Sequence, residues 1–593
     1  MTADSHSVGA EIPRDLDEAL SLPQKLRALR SSLTRAIFTA SEDRLFLLLA
    51  ILIGILAGLS VVCFRVAIEW TKLVLLGASV SPHAPRVFLA PALAGIAVAV
   101  LAIRAFPRAR GSGVNQTKAA VYVRDGYIPF STVIGKFITC ALAIGSGQSL
   151  GPEDPSLQMG AGIASALGRS LRLSRKKVRL IAPVGAAAGL AAAFNAPISA
   201  VLFVIEEVIG TWSAGVLGAI VLAAVSSVVT MRYFLGPDSL FRVPPIRVSH
   251  PSEFIGYVVL GIAGGFAALA FLKWIAYFRP KMMNLPRWSR YLQPAAAGLI
   301  IGLIGIRLPQ VMGAGYFVID QALHGQFTWR LLLVLAVIKI VATGLSFLSG
   351  TPGGMFAPTL FIGAMLGGAV GGIEHHFFPQ WNATLGTFAL IGMGTFFAGF
   401  LRAPITSVFM VIELSGNYSA ALPVMVASLI AYVISRRYQK VPLFDLLTRQ
   451  DGLILPSIEE LREQVAIVIE DAMEPEGALV VHPEDSAASV IARIGEQKNI
   501  PLLLRVRAGE WRLLDQENLN RLATDAGKPH IAAEANSKGP LPMLFRDESI
   551  AEALRWIGDW PVLPVVSRAD LGQLEGTLSL SDVLKAMQKA AVV

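Results

Sequence analysis

Charge is scarce in this 593-residue chain: Asp, Glu, Lys and Arg together make up 16% of it, against about 25% in an ordinary soluble domain. A wholly soluble protein is thereby excluded, and with it a soluble metabolic enzyme. Cysteine is scarcer still, with only Cys63 and Cys140. Both lie in apolar segments without metal-ligand spacing, so neither a disulfide framework nor a metal site is expected. The polar N-terminus, MTADSHSVGAEIPRD, lacks an early apolar core, and no cleavable signal peptide is expected.

Apolar sequence is abundant, at 54% of residues. Long runs recur at 45–64, 87–103, 131–144, 180–205, 214–229, 254–271, 294–306, 330–348, 386–400 and 420–434. Several approach the ~20 residues a spanning helix needs. Others are shorter and interrupted by Gly and Pro. Such broken helices are tolerated in a bilayer only where protein or a water-filled cavity covers the exposed backbone. The reading is an α-helical polytopic membrane protein. The formal net charge of +9 could suggest nucleic acid, but the basic residues cluster at helix ends, as the positive-inside rule expects. The expected partner is the lipid bilayer, with no nucleic acid.

Residues 1–42 are expected to form a cytosolic leader, with an amphipathic stretch at 20–37 (LSLPQKLRALRSSLTRAI). A membrane domain is expected over 43–438, a linker over 439–466 and a water-exposed α/β tail over 467–593. The membrane domain repeats itself, in halves at about 43–235 and 250–438. GKFITCALAIGSGQSLGPEDPSLQMGA (135–161) aligns with IKIVATGLSFLSGTPGGMFAPTLFIGA (338–364) at an offset of 203. FNAPISAVLFVIEE (194–207) aligns with LRAPITSVFMVIEL (401–414) at an offset of 207, and GSGV (111–114) pairs with GAGY (313–316). Lys136 falls on Lys339, Gly151 on Gly354, Pro197 on Pro404 and Glu206 on Glu413. Shared apolar composition alone rarely matches glycine, proline, lysine and glutamate together.

The connecting loops give the sense of the repeat. GRSLRLSRKKVRL in the first half is strongly basic, whereas GIEHHFFPQWNATLG in the second has no Lys or Arg. Under the positive-inside rule the first faces the cytoplasm and the second the outside. Equivalent loops on opposite sides imply an inverted-topology repeat, whose substrate site lies near the midplane where broken helices meet.

Three glycine-rich breaks mark that place: GSGVN (111–115), GPEDP (151–155) and GMFAP (354–358). A helix beginning inside the membrane presents unpaired N–H groups and the positive end of its dipole. Several such ends converging make an anion site. One motif alone reads as readily as packing glycines or a Pro kink; three in a duplicated frame favour the site.

These breaks resemble the CLC chloride channels and chloride/proton antiporters, whose motifs run GSGIP, G-K/R-E-G-P and G-x-F-x-P. GAAAGLAAAFNAPISAVLFVIEE (185–207) is also close to that family's middle helices. The resemblance spans roughly residues 45–445. It implies a homodimer with one anion pathway per subunit, carrying chloride and protons. By position it implies an anion held at Ser112 and Gly113 and by the backbone amides of Met355 and Phe356. Glu153 matches the gating glutamate, which occupies an anion position when ionised and moves aside when protonated or displaced. Glu207 matches the glutamate that passes protons to and from the cytoplasm in the antiporters, while Glu206, repeated as Glu413, also reads as structural.

There are three departures. Asn115 replaces a proline, Pro152-Glu153-Asp154 stands where the family has a basic residue, Glu and Gly, and Phe444 replaces a tyrosine whose hydroxyl touches the central anion. Asp154 is a candidate modulator of the gate, or a simple helix-capping acid. Phe444 predicts weaker anion binding at the central position.

The tail resembles a pair of CBS domains. SIAEALRWIGDWPVLPVVSRADLGQLEGTLSLSDVLKAM (549–587) reads helix, strand, strand, helix and ends in Ser579-x-x-Asp582, the candidate nucleotide contacts. An adenine nucleotide and a purely structural or dimerising tail both fit. The expected location is a bacterial inner membrane with the tail cytoplasmic. The expected activity is chloride/proton antiport, with a passive chloride channel as the alternative and a fluoride/proton exporter as the third reading.

Overall fold

The computed structural model describes residues 42–77, 85–210, 214–238, 240–241, 243, 253–379, 384–453, 455, 468–475, 477–495, 500–515, 519–520, 539–568 and 570–592. The expected leader, up to residue 41, and residues 456–466 of the expected linker lie outside them. The chain divides into two compact units, Met1–Leu455 and Pro456–Val593.

Among its described residues the first unit is built of helices joined by loops. Its first half runs α1 (Glu42–Leu75), α2 (Pro85–Val100), α3 (Gly113–Val123), α4 (Phe130–Gly145), α5 (Glu153–Ser170), α6 (Arg175–Phe194), α7 (Pro197–Phe203) and α8 (Ala214–Leu235). The second half repeats the series as α9 (Glu253–Met283), α10 (Ser289–Arg307), α11 (Tyr316–Leu323), α12 (Trp329–Leu348), α13 (Phe356–Phe377), α14 (Leu385–Leu401), α15 (Pro404–Ser415) and α16 (Ala421–Tyr438). A short helix, α17 (Leu443–Gln450), follows. Among the described residues, nine helices are long and apolar enough to cross a bilayer. The apolar run 180–205 is not one helix. It breaks at Asn195, which caps α6 in the left-handed region at φ 57°, before Pro197 opens α7. Arg402 does the same for α14 at φ 64°.

Residues that the repeat aligns meet one another in space. Gly151 and Gly354 form a small antiparallel bridge, each N–H donating to the other's carbonyl at 2.8 and 2.9 Å. The Glu206 carboxylate accepts from the Ile405 and Thr406 amides at the start of α15, at 3.4 and 3.0 Å. Reciprocally, Glu413 accepts from the Ile198 and Ser199 amides at the start of α7, at 2.9 and 2.7 Å. Each carboxylate thus satisfies amides that a helix N-terminus leaves unpaired. The buried lysines are also equivalent: Lys136 donates to Gly111 O at 2.6 Å and Lys339 to Gly313 O at 2.7 Å. These bonds tie α4 and α12 to the loops before α3 and α11, and so fix where those helices begin.

The second unit is α/β. β1 (Leu479–Val481) pairs parallel with β2 (Leu502–Arg507), which pairs antiparallel with β3 (Glu510–Leu514). The parallel pairing requires a crossover, supplied by α18 (Ala487–Ile494). The same order returns in α19 (Ile550–Ala553), β4 (Val562–Val566), β5 (Leu574–Ser579) and α20 (Leu580–Val592), with Leu544 bridging Val565 in parallel. Strand alternation sends Leu502 and Leu504 into one core, while Leu503 joins Trp511, Val562 and Val566 in another shared by both halves.

Candidate functional site

The three breaks end where helices begin. Ser112 is the residue before α3, Pro152 the residue before α5 and Met355 the residue before α13. The Gly151–Gly354 bridge holds the start of α5 beside the start of α13, so two positive helix ends lie together.

Glu153, the first residue of α5, is fully buried. Its carboxylate reaches the start of α13, where Oε2 accepts from the Ala357 amide at 3.3 Å. That amide is the next along the chain from the expected pair, Met355 and Phe356. Oε1 accepts from the Tyr316 hydroxyl at the start of α11. The carboxylate folds back over Gly151, where a Cβ would meet Oε2 and crowd Ala357, so a larger residue there would displace the carboxylate. Beside Glu153 lies a cavity of about 930 Å³ whose lining includes Arg65, Pro152, Gly313 and Tyr316. It opens at the N-terminal end of α5, about 27 Å along an 18-residue helix from the basic turn that follows it. Arg65 brings a cation to this cavity, and its guanidinium donates to Ala193 O at 2.8 Å.

Asp154 turns elsewhere. Its Oδ1 accepts from the Val114 amide at 2.6 Å and the Ser112 hydroxyl at 3.3 Å, at the start of α3. Phe444, on α17, is buried, with its ring 6.4 Å from that of Phe356 and 6.2 Å from that of Phe203. Ser112, Phe356 and Phe444 thus stand at helix starts joined through α17, which a buried ion pair between Lys118 of α3 and Asp445 holds at 2.5 Å. Glu207 is buried in a π-helical turn, Val204–Ile209, that extends α7. Such wide turns concentrate at functional positions. The equivalent α15 runs as plain α-helix to Ser415, with Leu414 at the matching position.

Tyr316, Arg65 and Lys118 were not among the residues the motifs indicated. A signal for Tyr316 lies in the repeat, where GAGY puts a polar-tipped aromatic at the position of Val114. For Lys118 it is a lysine inside a membrane segment, which demands a partner.

Tyr316→Phe should remove the hydroxyl donated to Glu153, a bond to a charged group worth ~1.5–3 kcal/mol. A carboxylate held less firmly leaves its position more often, so chloride efflux from loaded vesicles should rise severalfold. Efflux equal to wild type would show that the hydroxyl does not restrain the Glu153 carboxylate.

In the second unit Ser579 and Asp582 satisfy each other. Asp582 Oδ2 accepts from the Ser579 amide at 3.0 Å and from its hydroxyl at 2.5 Å, at the start of α20. Asp582→Ala should destabilise that helix by about 0.5–2 kcal/mol, read as faster amide hydrogen exchange in 580–592 of the full chain. Unchanged exchange there would remove the capping role.

Residues 94–436 match the voltage gated chloride channel family, and the chain belongs to that family. In fold it is similar to a slow cyanobacterial Cl−/H+ antiporter, with 24% identity, a TM-score of 0.63 and coverage of 68% of this chain and 97% of that one. A eukaryotic CLC transporter matches at 19% identity and a TM-score of 0.60, over 91% of this chain and 99% of its own. A CLC-type fluoride/proton antiporter matches at 24% identity and a TM-score of 0.56, over 68% and 97%. The protein is thus a multi-pass membrane protein of an anion-transporting family rather than an enzyme.

Proposed function

We propose that the protein exchanges chloride for protons across the membrane, with Glu153 as the gate. The observation that carries this is the Glu153 carboxylate lying on the first turn of α13, bonded to the Ala357 amide and the Tyr316 hydroxyl. A carboxylate at a helix N-terminus occupies what an external anion would otherwise take. Ionised, it competes with chloride; protonated, it loses the charge that holds it there and carries a proton as it leaves. Glu207, buried at the far end of α7, serves as the proton's cytoplasmic acceptor in this reading. An apolar residue would suffice there for a channel, so its presence favours antiport over passive conduction. The GSG frame around Ser112 favours chloride over fluoride as the cargo.

The reciprocal contacts of Glu206 with α15 and Glu413 with α7 support two halves in inverted topology. With the basic turn after α5 on the cytoplasmic side, the cavity beside Glu153 opens outward. The tail is read as a CBS pair: both halves follow the order strand-like segment, helix, strand, strand, and the likeness to the eukaryotic transporter extends past the membrane unit. A homodimer, with one pathway in each subunit, completes the reading.

The test is a chloride gradient imposed on vesicles containing the purified protein, with external pH recorded. Protons moving uphill as chloride runs down establish exchange. Chloride movement without protons makes the protein a channel, and proton movement with fluoride alone makes it a fluoride exporter.

A further inference from the structure

Glu153 and Asp154 are adjacent, yet their carboxylates part and reach two different helix N-termini. Glu153 lies on α13; Asp154 lies on α3, with 2.6 Å from Oδ1 to the Val114 amide and 3.3 Å to the Ser112 hydroxyl. The Gly113 amide also faces it. We infer that Asp154 is a second tethered anion, occupying the position at Ser112 as Glu153 occupies that at the start of α13, so that chloride binding at Ser112 must displace Asp154. This rests on the anion-transport reading above and adds a residue that sets affinity at that position.

Several observations bear on it. Asp154 is 2% exposed, so its charge is compensated by protein groups rather than by water. The donors it takes are a serine hydroxyl and helix-start amides, the set that would hold a halide. The Ser112 side chain makes no capping bond to its own helix, which leaves its hydroxyl for a ligand. Gly113 has no Cβ, and one built there would meet the Asp154 backbone O at 2.4 Å and Asp154 Oδ1 at 3.0 Å. On its other side Asp154 packs against the bridge: a Cβ on Gly354 would meet Asp154 Cβ at 2.6 Å. The side chain is therefore directed toward α3 rather than toward α13. The Lys136 charge also acts on it, from the loop where Lys136 holds Gly111 O.

Asp154 as a plain helix cap differs in what its removal does. A cap that is removed lowers stability and leaves anion affinity alone; a competitor that is removed raises affinity, through Ser112. The experiment is calorimetric titration of the purified full chain with chloride, at fixed pH and ionic strength. Asp154→Asn keeps the shape without the charge, and Asp154→Gly removes both, so one remains informative if the other does not fold. Both should bind chloride at least tenfold more tightly than wild type, or bind an additional equivalent. Ser112→Ala in the Asp154→Gly background should cancel the gain. Folded variants with wild-type chloride binding, or a gain that survives Ser112→Ala, would overturn the inference. Glu153→Ala separates the two readings. If it raises chloride binding and the Asp154 variants do not, the gate stands and this inference falls. If the Asp154 variants raise it and Glu153→Ala does not, the inference stands and the gate falls.

Discussion

Glu153→Gln should stop proton movement in reconstituted vesicles while chloride still moves. The amide cannot take up and release a proton, and removing a positioned proton-transfer group slows that step by about a hundredfold or more. Chloride movement persists because a neutral side chain no longer competes electrostatically for the start of α13. The Tyr316 hydroxyl and the Ala357 amide are both donors in the structure. They can still bond the amide oxygen, but without the charge that makes such bonds strong. The measurement is external pH under an outward chloride gradient, with chloride efflux followed in the same vesicles. Protons still driven uphill by the variant would mean that another group carries them, and Glu153 would lose its assignment.

The frame of this site was legible in the sequence because the repeat is written in residues with backbone consequences. Gly151 and Gly354, aligned from sequence, form the bridge on which both helix starts rest. Glu206 and Glu413, aligned the same way, prove to cap each other's halves. Lys136 and Lys339 hold equivalent loops. What was hidden depends on closure of the chain in three dimensions. The hydroxyl of Tyr316 reaches Glu153 across 163 positions of sequence, and no local spacing reports such a meeting. Asp154 was legible as an acid in the first turn of a helix. Its direction, toward α3 and away from α13, is set by packing against Gly113 and Gly354 and not by its neighbours in sequence.

The Lys118–Asp445 pair is the other place where one substitution should have a large effect. Lys118 is fully buried in α3, Asp445 is 7% exposed in α17, and they meet at 2.5 Å across 327 positions. Taking both charges out of water is expensive, and their attraction repays it only while both are present. Asp445 Oδ2 has no hydrogen-bond partner among the described residues, so loss of the lysine would leave the carboxylate still poorer in donors. Lys118→Met or Asp445→Leu alone should therefore destabilise the protein by about 3–5 kcal/mol, whereas the double variant should recover most of that loss. Because large membrane proteins commonly unfold irreversibly, the readout is the half-life of the detergent-solubilised protein at a fixed elevated temperature. The consequence extends to transport, since α17 carries Phe444 and α3 begins at Ser112. With the pair broken, the Phe444 ring is less firmly held against Phe356 and Phe203, and in the exchange proposed above the packing beside Ser112's helix loosens. Either single variant should then move chloride with fewer protons per ion than wild type. If both single variants and the double variant lose stability equally, the pair is not a coupled unit, and α17 must be held to α3 by apolar packing alone.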